Sequence, residues 1–356
     1  MRYQNVYVDG FACTLPDEVV TTDALEERLA PVYERLRLPF GRLELMTGIQ
    51  ERRIWPAGEL PGDGSVRTVE RLLDATGADR DRVGAFIHAS VCRDYQEPAT
   101  ACDVHRRCRL AQHCAIFDIS NACLGLLTGM IQIANMIELG QIESGIVVGT
   151  ESSRILMETT IARLNADETL TRKNVKPMFA SLTIGSGSAA ILLTDGKRTK
   201  TGNRLLGGVV QANSLGAALC RSELDVSAGG HGSGQFMQTD SERLLNEGVA
   251  VAAEAFERFL PELNWTRDSM DRTFCHQVGK AHENLLFDRL KLDSVKNFTT
   301  FSFLGNTGSV ALPTAAALGL ERKVPKRGEK IALLGIGSGI NVVMLGIEME
   351  NGEKGK

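Results

Sequence analysis

Cys123 lies where a short apolar strand pattern runs into a helical one, along Ala115-Ile-Phe-Asp-Ile-Ser-Asn-Ala-Cys123-Leu-Gly-Leu-Leu-Thr-Gly-Met-Ile131. A thiol in the first turn of a helix faces unpaired backbone N–H groups and the positive end of the macrodipole, both of which favour thiolate over thiol. That is a nucleophile's position, although an arbitrary free cysteine is more often a small buried hydrophobe. Three other segments supply partners: His276 before Gln-Val, Asn306 in Gly305-Asn-Thr-Gly308, and the loop Gly335-Ile-Gly-Ser-Gly339. A thiolate, an imidazole, a carboxamide and a Gly-rich loop are the parts for acyl transfer through a thioester. Cys123 would attack an activated acyl group, with its own N–H and one near Ser338 holding the oxyanion. His276 and Asn306 would donate to a second charge, on an enolate oxygen, which argues for carbon–carbon bond formation over hydrolysis. Singly, a histidine in an apolar strand is more often structural, and an Asn between glycines more often a turn residue. Their joint order and spacing carry the inference.

The elements that must position these groups form one supersecondary unit written twice. The first copy runs through strands at 84–91 and 115–120, a helix from Cys123 to about Leu139, and a strand at 145–151. The second runs through strands at 272–278 and 298–303, a helix from about Gly308 to Leu320, and a strand at 330–339. Cys123 precedes Ile146 by 23 residues and Asn306 precedes Ile331 by 25, which supports an internal duplication. Alternating strands and helices imply parallel sheets buried on both faces, with reactive groups beyond the carboxyl ends of the strands. That rule brings Cys123, His276, Asn306 and the 335–339 loop towards one place. The glycines of 180–193 lack a nucleotide fingerprint and read as close backbone packing before an apolar strand. Segment 155–179 reads as a polar, rather helical excursion. Residues 227–234 read as a flexible linker or entrance loop, and 351–356 as a frayed tail.

Composition narrows the class. The chain has 356 residues, 43% hydrophobic and 24% charged, with a formal net charge of −4. Bulk electrostatics therefore recruit neither nucleic acid nor an anionic membrane. An acidic carrier protein would need a local basic patch, such as Arg106, Arg107 and Arg109 or Arg322, Lys323, Lys326 and Arg327, though charge runs are usually solvated faces. The eight cysteines are scattered, without a Cys-x-x-Cys pair, and the N-terminus lacks an apolar signal core, so a reduced, cytoplasmic setting is expected. The steps between Cys102, Cys108 and Cys114 fit no familiar metal-ligand spacing, and no apolar run approaches the ~18 residues needed to cross a bilayer. No metal or redox cofactor is expected.

Asn121-Ala-Cys123-Leu-Gly, His276-Gln-Val, Gly305-Asn-Thr-Gly and Gly335-Ile-Gly-Ser-Gly, with Thr47-Gly-Ile-Gln-Glu-Arg-Arg-Ile54 upstream, resemble the β-ketoacyl-acyl-carrier-protein synthase III family of the thiolase superfamily. The resemblance runs from about residue 3 to residue 348. It implies the α/β thiolase fold, five layers αβαβα from two duplicated halves, here 1–200 with the cysteine and 201–356 with the histidine and asparagine. It also implies a homodimer acting on coenzyme A thioesters, with Cys123 acylated and His276 and Asn306 stabilising the enolate.

The chain departs from the fatty-acid initiation enzymes at two points. Their loop after the strand matching 85–91 carries an apolar aromatic residue, whereas Val91-Cys-Arg-Asp-Tyr-Gln-Glu97-Pro carries a carboxylate, and Arg42 stands where their indole precedes Thr47-Gly-Ile. The pattern is more similar to the condensing thiolases of long-chain olefin biosynthesis, which join two fatty acyl-CoA molecules head to head, without decarboxylation, to a β-keto acid. That resemblance implies that Glu97 reaches the active site from the partner subunit as the base for the α-carbon. The logic is chemical: a malonyl donor makes its carbanion by losing carbon dioxide, while a plain acyl donor must have its α-proton taken. Glu97 would need desolvation to raise its pKa for that task. The alternatives are decarboxylative condensation of acyl-CoA with malonyl-acyl-carrier protein, a hydroxymethylglutaryl-CoA synthase-like reaction, and a non-enzymatic redox-sensing thiol. A degradative thiolase is disfavoured because the 335–339 loop has no second cysteine. Leu126, Leu127, Met157, Met178 and Phe179 are candidate walls of an alkyl channel.

Overall fold

The computed structural model describes residues 1–224 and 235–350, so the expected 227–234 loop and 351–356 tail lie outside the described residues. In the first half, strands β1 (Tyr7–Thr14), β2 (Val83–Ala89), β3 (Ala115–Ile119), β4 (Ser144–Glu151) and β5 (Gly187–Thr194) combine with helices α1 (Pro61–Thr76), α2 (Thr100–Arg107) and α3 (Gly125–Glu138). The second half contributes β6 (Arg204–Ala212), β7 (Arg272–Cys275), β8 (Lys330–Gly337) and β9 (Asn341–Glu348), with α4 (Ser241–Leu263), α5 (Lys280–Leu290) and α6 (Ala311–Arg322). Their order across the sheet is β7-β8-β9-β6-β1-β5-β4-β2-β3. β2 pairs in parallel with β3 and β4, and β7 pairs in parallel with β8. β1 and β6 meet only at Tyr7 and Arg204, where one half-sheet gives way to the other.

Alternation along the strands builds five layers. In β8, Ile331 and Leu333 face the central cluster with α3 and α6, while Ala332, Leu334 and Ile336 face α4 and α5. In β2 and β4, Ile87 and Val147 face the same central helices, while Phe86, Ile146 and Val148 face α1 and α2. Strands buried on both faces are what parallel sheets demand. Glycines let the central helix press onto both half-sheets. A Cβ at Gly129 would meet Val147 at 2.5 Å, and one at Gly335 would meet Leu124 and Leu127 at 2.6 and 2.7 Å. The 180–193 glycines also serve packing, since a side chain at Gly185 would collide with the Leu304 carbonyl.

One expected strand is absent. Residues 298–303 do not mirror β3: only Asn297 bridges Thr273, and Phe301–Leu304 forms a helical turn. Phe301 and Leu304 are both buried while Phe303 between them is partly exposed, a spacing of three that suits a helix rather than the alternation of a strand. The turn is tied down at Ser302, whose carbonyl accepts from Gln50, next to the Thr47-Gly-Ile motif.

Candidate active site

Cys123 occupies a 3₁₀ turn, Ala122–Leu124, between β3 and α3. Ala122 has φ of +44°, a left-handed conformation that costs an alanine about 1–2 kcal/mol. Leu124 N–H donates to the Asn121 carbonyl, and the Asn121 amide donates to Thr128 on α3 at 2.9 Å. Asn341 on β9 donates to the Asn121 side-chain oxygen at 3.0 Å and lies 3.3 Å from the Ser338 carbonyl, so the two halves are stitched together at the thiol. Asn121 entered the sequence reading only as part of the Asn-Ala-Cys motif and Asn341 not at all, since a lone asparagine carries no signal.

The Ser338 N–H and the N–H of Cys123 itself both point at the sulfur and lower its pKa, but they do not prevail. Burial, then the Glu151 carboxylate, then the Cys220 thiol push Cys123 up to about 12. The expectation of a helix-stabilised thiolate is therefore corrected: the residue keeps some exposed surface, yet desolvation of its sulfur outweighs the N–H groups of one short turn. Alkylation by iodoacetamide is expected to be slower at pH 7 than that of free cysteine and still rising at pH 9. A reaction plateau reached below pH 7 would contradict this.

His276 follows β7, and its N–H donates to the Leu334 carbonyl at 3.2 Å, which places it beside the last turns of β8. It is 5% exposed, and its Nδ1 has no hydrogen-bond partner among the described residues. Burial, and then the neighbouring His282, lower its pKa to about 3, so the imidazole is neutral at physiological pH. The His282 ring stands 6.4 Å away and is itself lowered to about 4 by burial. Asn306 is fixed on three sides: its N–H donates to Thr183, its carbonyl accepts from Gly185, and its Oδ1 accepts from Gly308 N–H at 3.0 Å. With Oδ1 occupied, the Nδ2 donor is what remains to meet a ligand. The 3₁₀ turn Gly308–Val310 that follows packs against the Cys123 turn.

Glu97 stands apart from these groups within its own chain. Its loop is anchored at both ends and exposed between them. Val91 and Cys92 N–H donate to Glu151 at 2.9 and 3.2 Å, and Arg93 pairs with Asp118 at 3.2 Å. Asp94 accepts from Gly62 at 2.7 Å, after which Tyr95, Gln96, Glu97 and Pro98 face outward.

Leu126 and Leu127 belong to the central core, whereas Met157, Met178 and Phe179 form a separate cluster with Leu25, Leu29 and Leu38. Over that second cluster lies a pocket of about 420 Å³ lined by Arg37, Leu38, Pro39, Arg42, Arg172, Lys173 and Lys176. Its cations come from segments far apart in sequence and escape any search for charge runs. Of the expected basic patches, Arg106 and Arg107 are paired with Asp103 and Asp63, and Arg327 with Glu350. A second cavity, about 430 Å³, is lined by β1, α6, Ile331 and Leu333, at the opposite end of β8 from Ser338. Among the described residues no group of His, Cys, Asp and Glu side chains is arranged to hold a metal ion, and no helix is long and apolar enough to cross a membrane.

Residues 260–349 match the family model for the C-terminal part of 3-oxoacyl-[acyl-carrier-protein (ACP)] synthase III. Along nearly its whole length the chain is 41% identical to the acyl-CoA:acyl-CoA alkyltransferase of Shewanella oneidensis, over 98% of this chain and 100% of that protein. Identity to the beta-ketoacyl-[acyl-carrier-protein] synthase III of Pseudomonas aeruginosa is 26%, over 94% and 93% of the two chains. The fold superposes with a TM-score of 0.91 on a cysteine-to-serine variant of Xanthomonas campestris OleA with bound lauric acid and lauroyl-CoA, at 31% identity over 97% and 99% of the chains.

Proposed function

The chain belongs to the acyl-CoA:acyl-CoA alkyltransferase family, and on that premise we propose that it joins two fatty acyl-CoA molecules head to head without loss of carbon dioxide. The Cys123 sulfur attacks the first thioester carbonyl, with the neutral His276 imidazole carrying the thiol proton to the departing coenzyme A. The N–H groups of Cys123 and Ser338 hold the oxyanion. Glu97 of the partner subunit then takes the α-proton of the second acyl-CoA. The resulting enolate oxygen accepts from His276 and Asn306. Its carbon attacks the Cys123 thioester carbonyl, the sulfur leaves, and a β-keto thioester results, whose hydrolysis by water releases the β-keto acid and the second coenzyme A. No metal or redox group enters these steps.

The observation that carries this reading is the placement of Glu97: an exposed carboxylate, without an ion pair among the described residues, at the tip of a loop whose root is anchored to Glu151. The homodimer it requires is supported by the edge of the sheet. β3 ends the strand order, and its Ile116 and Phe117 are 36% and 37% exposed, with Val91 and Tyr95 of the loop exposed nearby in sequence. An apolar edge strand left open is an aggregation site unless another copy covers it. The basic pocket around Arg37, Arg42 and Arg172 suits the phosphates of coenzyme A, since arginine forks match phosphate oxygens. It would also accept the phosphopantetheine of a carrier protein as second donor.

Mass spectrometry of products separates this reaction from its decarboxylative alternative. With acyl-CoA alone, wild-type protein is expected to give a β-keto product containing two acyl chains, and Cys123→Ala none. A requirement for malonyl-carrier protein would overturn the reading. Failure of labelled acyl groups to load on wild-type Cys123 would remove acyl transfer altogether.

A further inference from the structure

Glu151, the last residue of β4, is only 5% exposed and has no part in the chemistry above. Its carboxylate collects donors from two directions. Val91 and Cys92 N–H reach it from the root of the Glu97 loop, at 2.9 and 3.2 Å. Ser309 reaches it with its N–H at 3.4 Å and with its hydroxyl, from the turn that follows Asn306. Three of these donors converge on Oε1 and Cys92 N–H meets Oε2, so the carboxylate is held from both the loop and the turn. Gly308 completes the fit: a Cβ there would meet the Glu151 Cγ at 3.2 Å.

We infer that Glu151 is a positioning residue that locks the loop bearing Glu97 and the turn bearing Asn306 into one unit beside Cys123. The inference rests on the reading of Glu97 as the partner's base. Each subunit thereby sets, through one carboxylate, both the enolate donor of its own site and the base it sends to its partner. The charge has a second consequence. Of the groups facing Cys123, Glu151 from β4 and Cys220 from strand Cys220–Leu224 both hold it in the thiol form, and the buried His276 is neutral.

Glu151→Gln in the full-length protein tests this, because the amide keeps the shape but sets its NH2 against N–H donors. Condensation of acyl-CoA is expected to fall at least tenfold while acyl loading of Cys123 persists. Iodoacetamide should alkylate Cys123 of the variant faster than wild type at pH 8, because the carboxylate that raises its pKa is gone; Ser309→Ala, which loosens the same contact but keeps that charge, controls for opening of the site. Ser309→Ala, which cuts only the Asn306 arm, should lose less condensation and leave alkylation unchanged. Condensation within twofold of wild type, or alkylation no faster, would overturn the inference. Glu97→Ala run alongside keeps the two claims apart. Loss there with none in Glu151→Gln rejects the clamp alone, and the converse rejects the base together with the clamp's role in presenting it, leaving only the tie to the Asn306 turn.

Discussion

Glu97→Ala protein and Cys123→Ala protein, each unable to condense two acyl-CoA molecules, are expected to regain about a quarter of wild-type activity when their subunits are mixed, unfolded and refolded together. In the proposed dimer each composite site takes a thiol from one subunit and a carboxylate from the other. A mixed dimer therefore holds one intact site, made of the thiol that the Glu97→Ala subunit retains and the carboxylate that the Cys123→Ala subunit retains. Random reassortment makes about half the dimers mixed, with one working site of two, hence about a quarter of all sites. Alone, Glu97→Ala should still load acyl groups on Cys123 but condense at least ~10²-fold more slowly, the lower range for removing a general base. If Glu97 served its own subunit, mixing would restore nothing, because no site would hold both groups. The exposure of residues 95–98 in the single chain, beyond anchors at Glu151, Asp118 and Gly62, is the physical ground for expecting rescue.

Much of this site was legible in the sequence because its reactive residues sit at the carboxyl ends of strands whose apolar patterns are strong. Cys123, His276 and the loop of Ser338 follow strands as that rule expects, whereas Asn306 was reached by the repeated spacing alone, since a helical turn and not a strand precedes it. What escaped was long-range. The effect of burial and of Glu151 on the Cys123 thiol reverses the expectation from its helix position, since a local pattern shows the N–H groups of the turn but not the carboxylate 28 residues away in sequence. The clamp itself joins residues 91, 151 and 309. Likewise the basic pocket gathers arginines and lysines from residues 37–42 and 172–176, and no stretch of either is a charge run. The strand expected at 298–303 failed for a related reason: the repeated unit called for one there, but tertiary anchoring at Gln50 and Gln277 favoured a turn.

Asn306→Ala is expected to slow condensation by about 10²–10³-fold, the range for deleting one preorganised donor to a developing oxyanion, while acyl loading stays within a few-fold of wild type. The split follows from which charge each donor meets. On the proposed mechanism, loading develops charge on the first thioester oxygen, which the Cys123 and Ser338 N–H groups would hold. Only the enolate of the second step would need the Asn306 Nδ2, the donor left free when Oδ1 accepts from Gly308 N–H. Asn306→Asp sharpens the test. It retains the acceptor for Gly308 and nearly the same volume, yet replaces the donor by a negative oxygen next to the nascent enolate. It should therefore condense more slowly than Asn306→Ala, whereas a side chain needed only to shape the turn would be rescued by aspartate. Single-turnover measurements of acyl transfer to Cys123, set beside steady-state product formation, separate the two steps. Equal losses in both would reassign Asn306 to the architecture of the site.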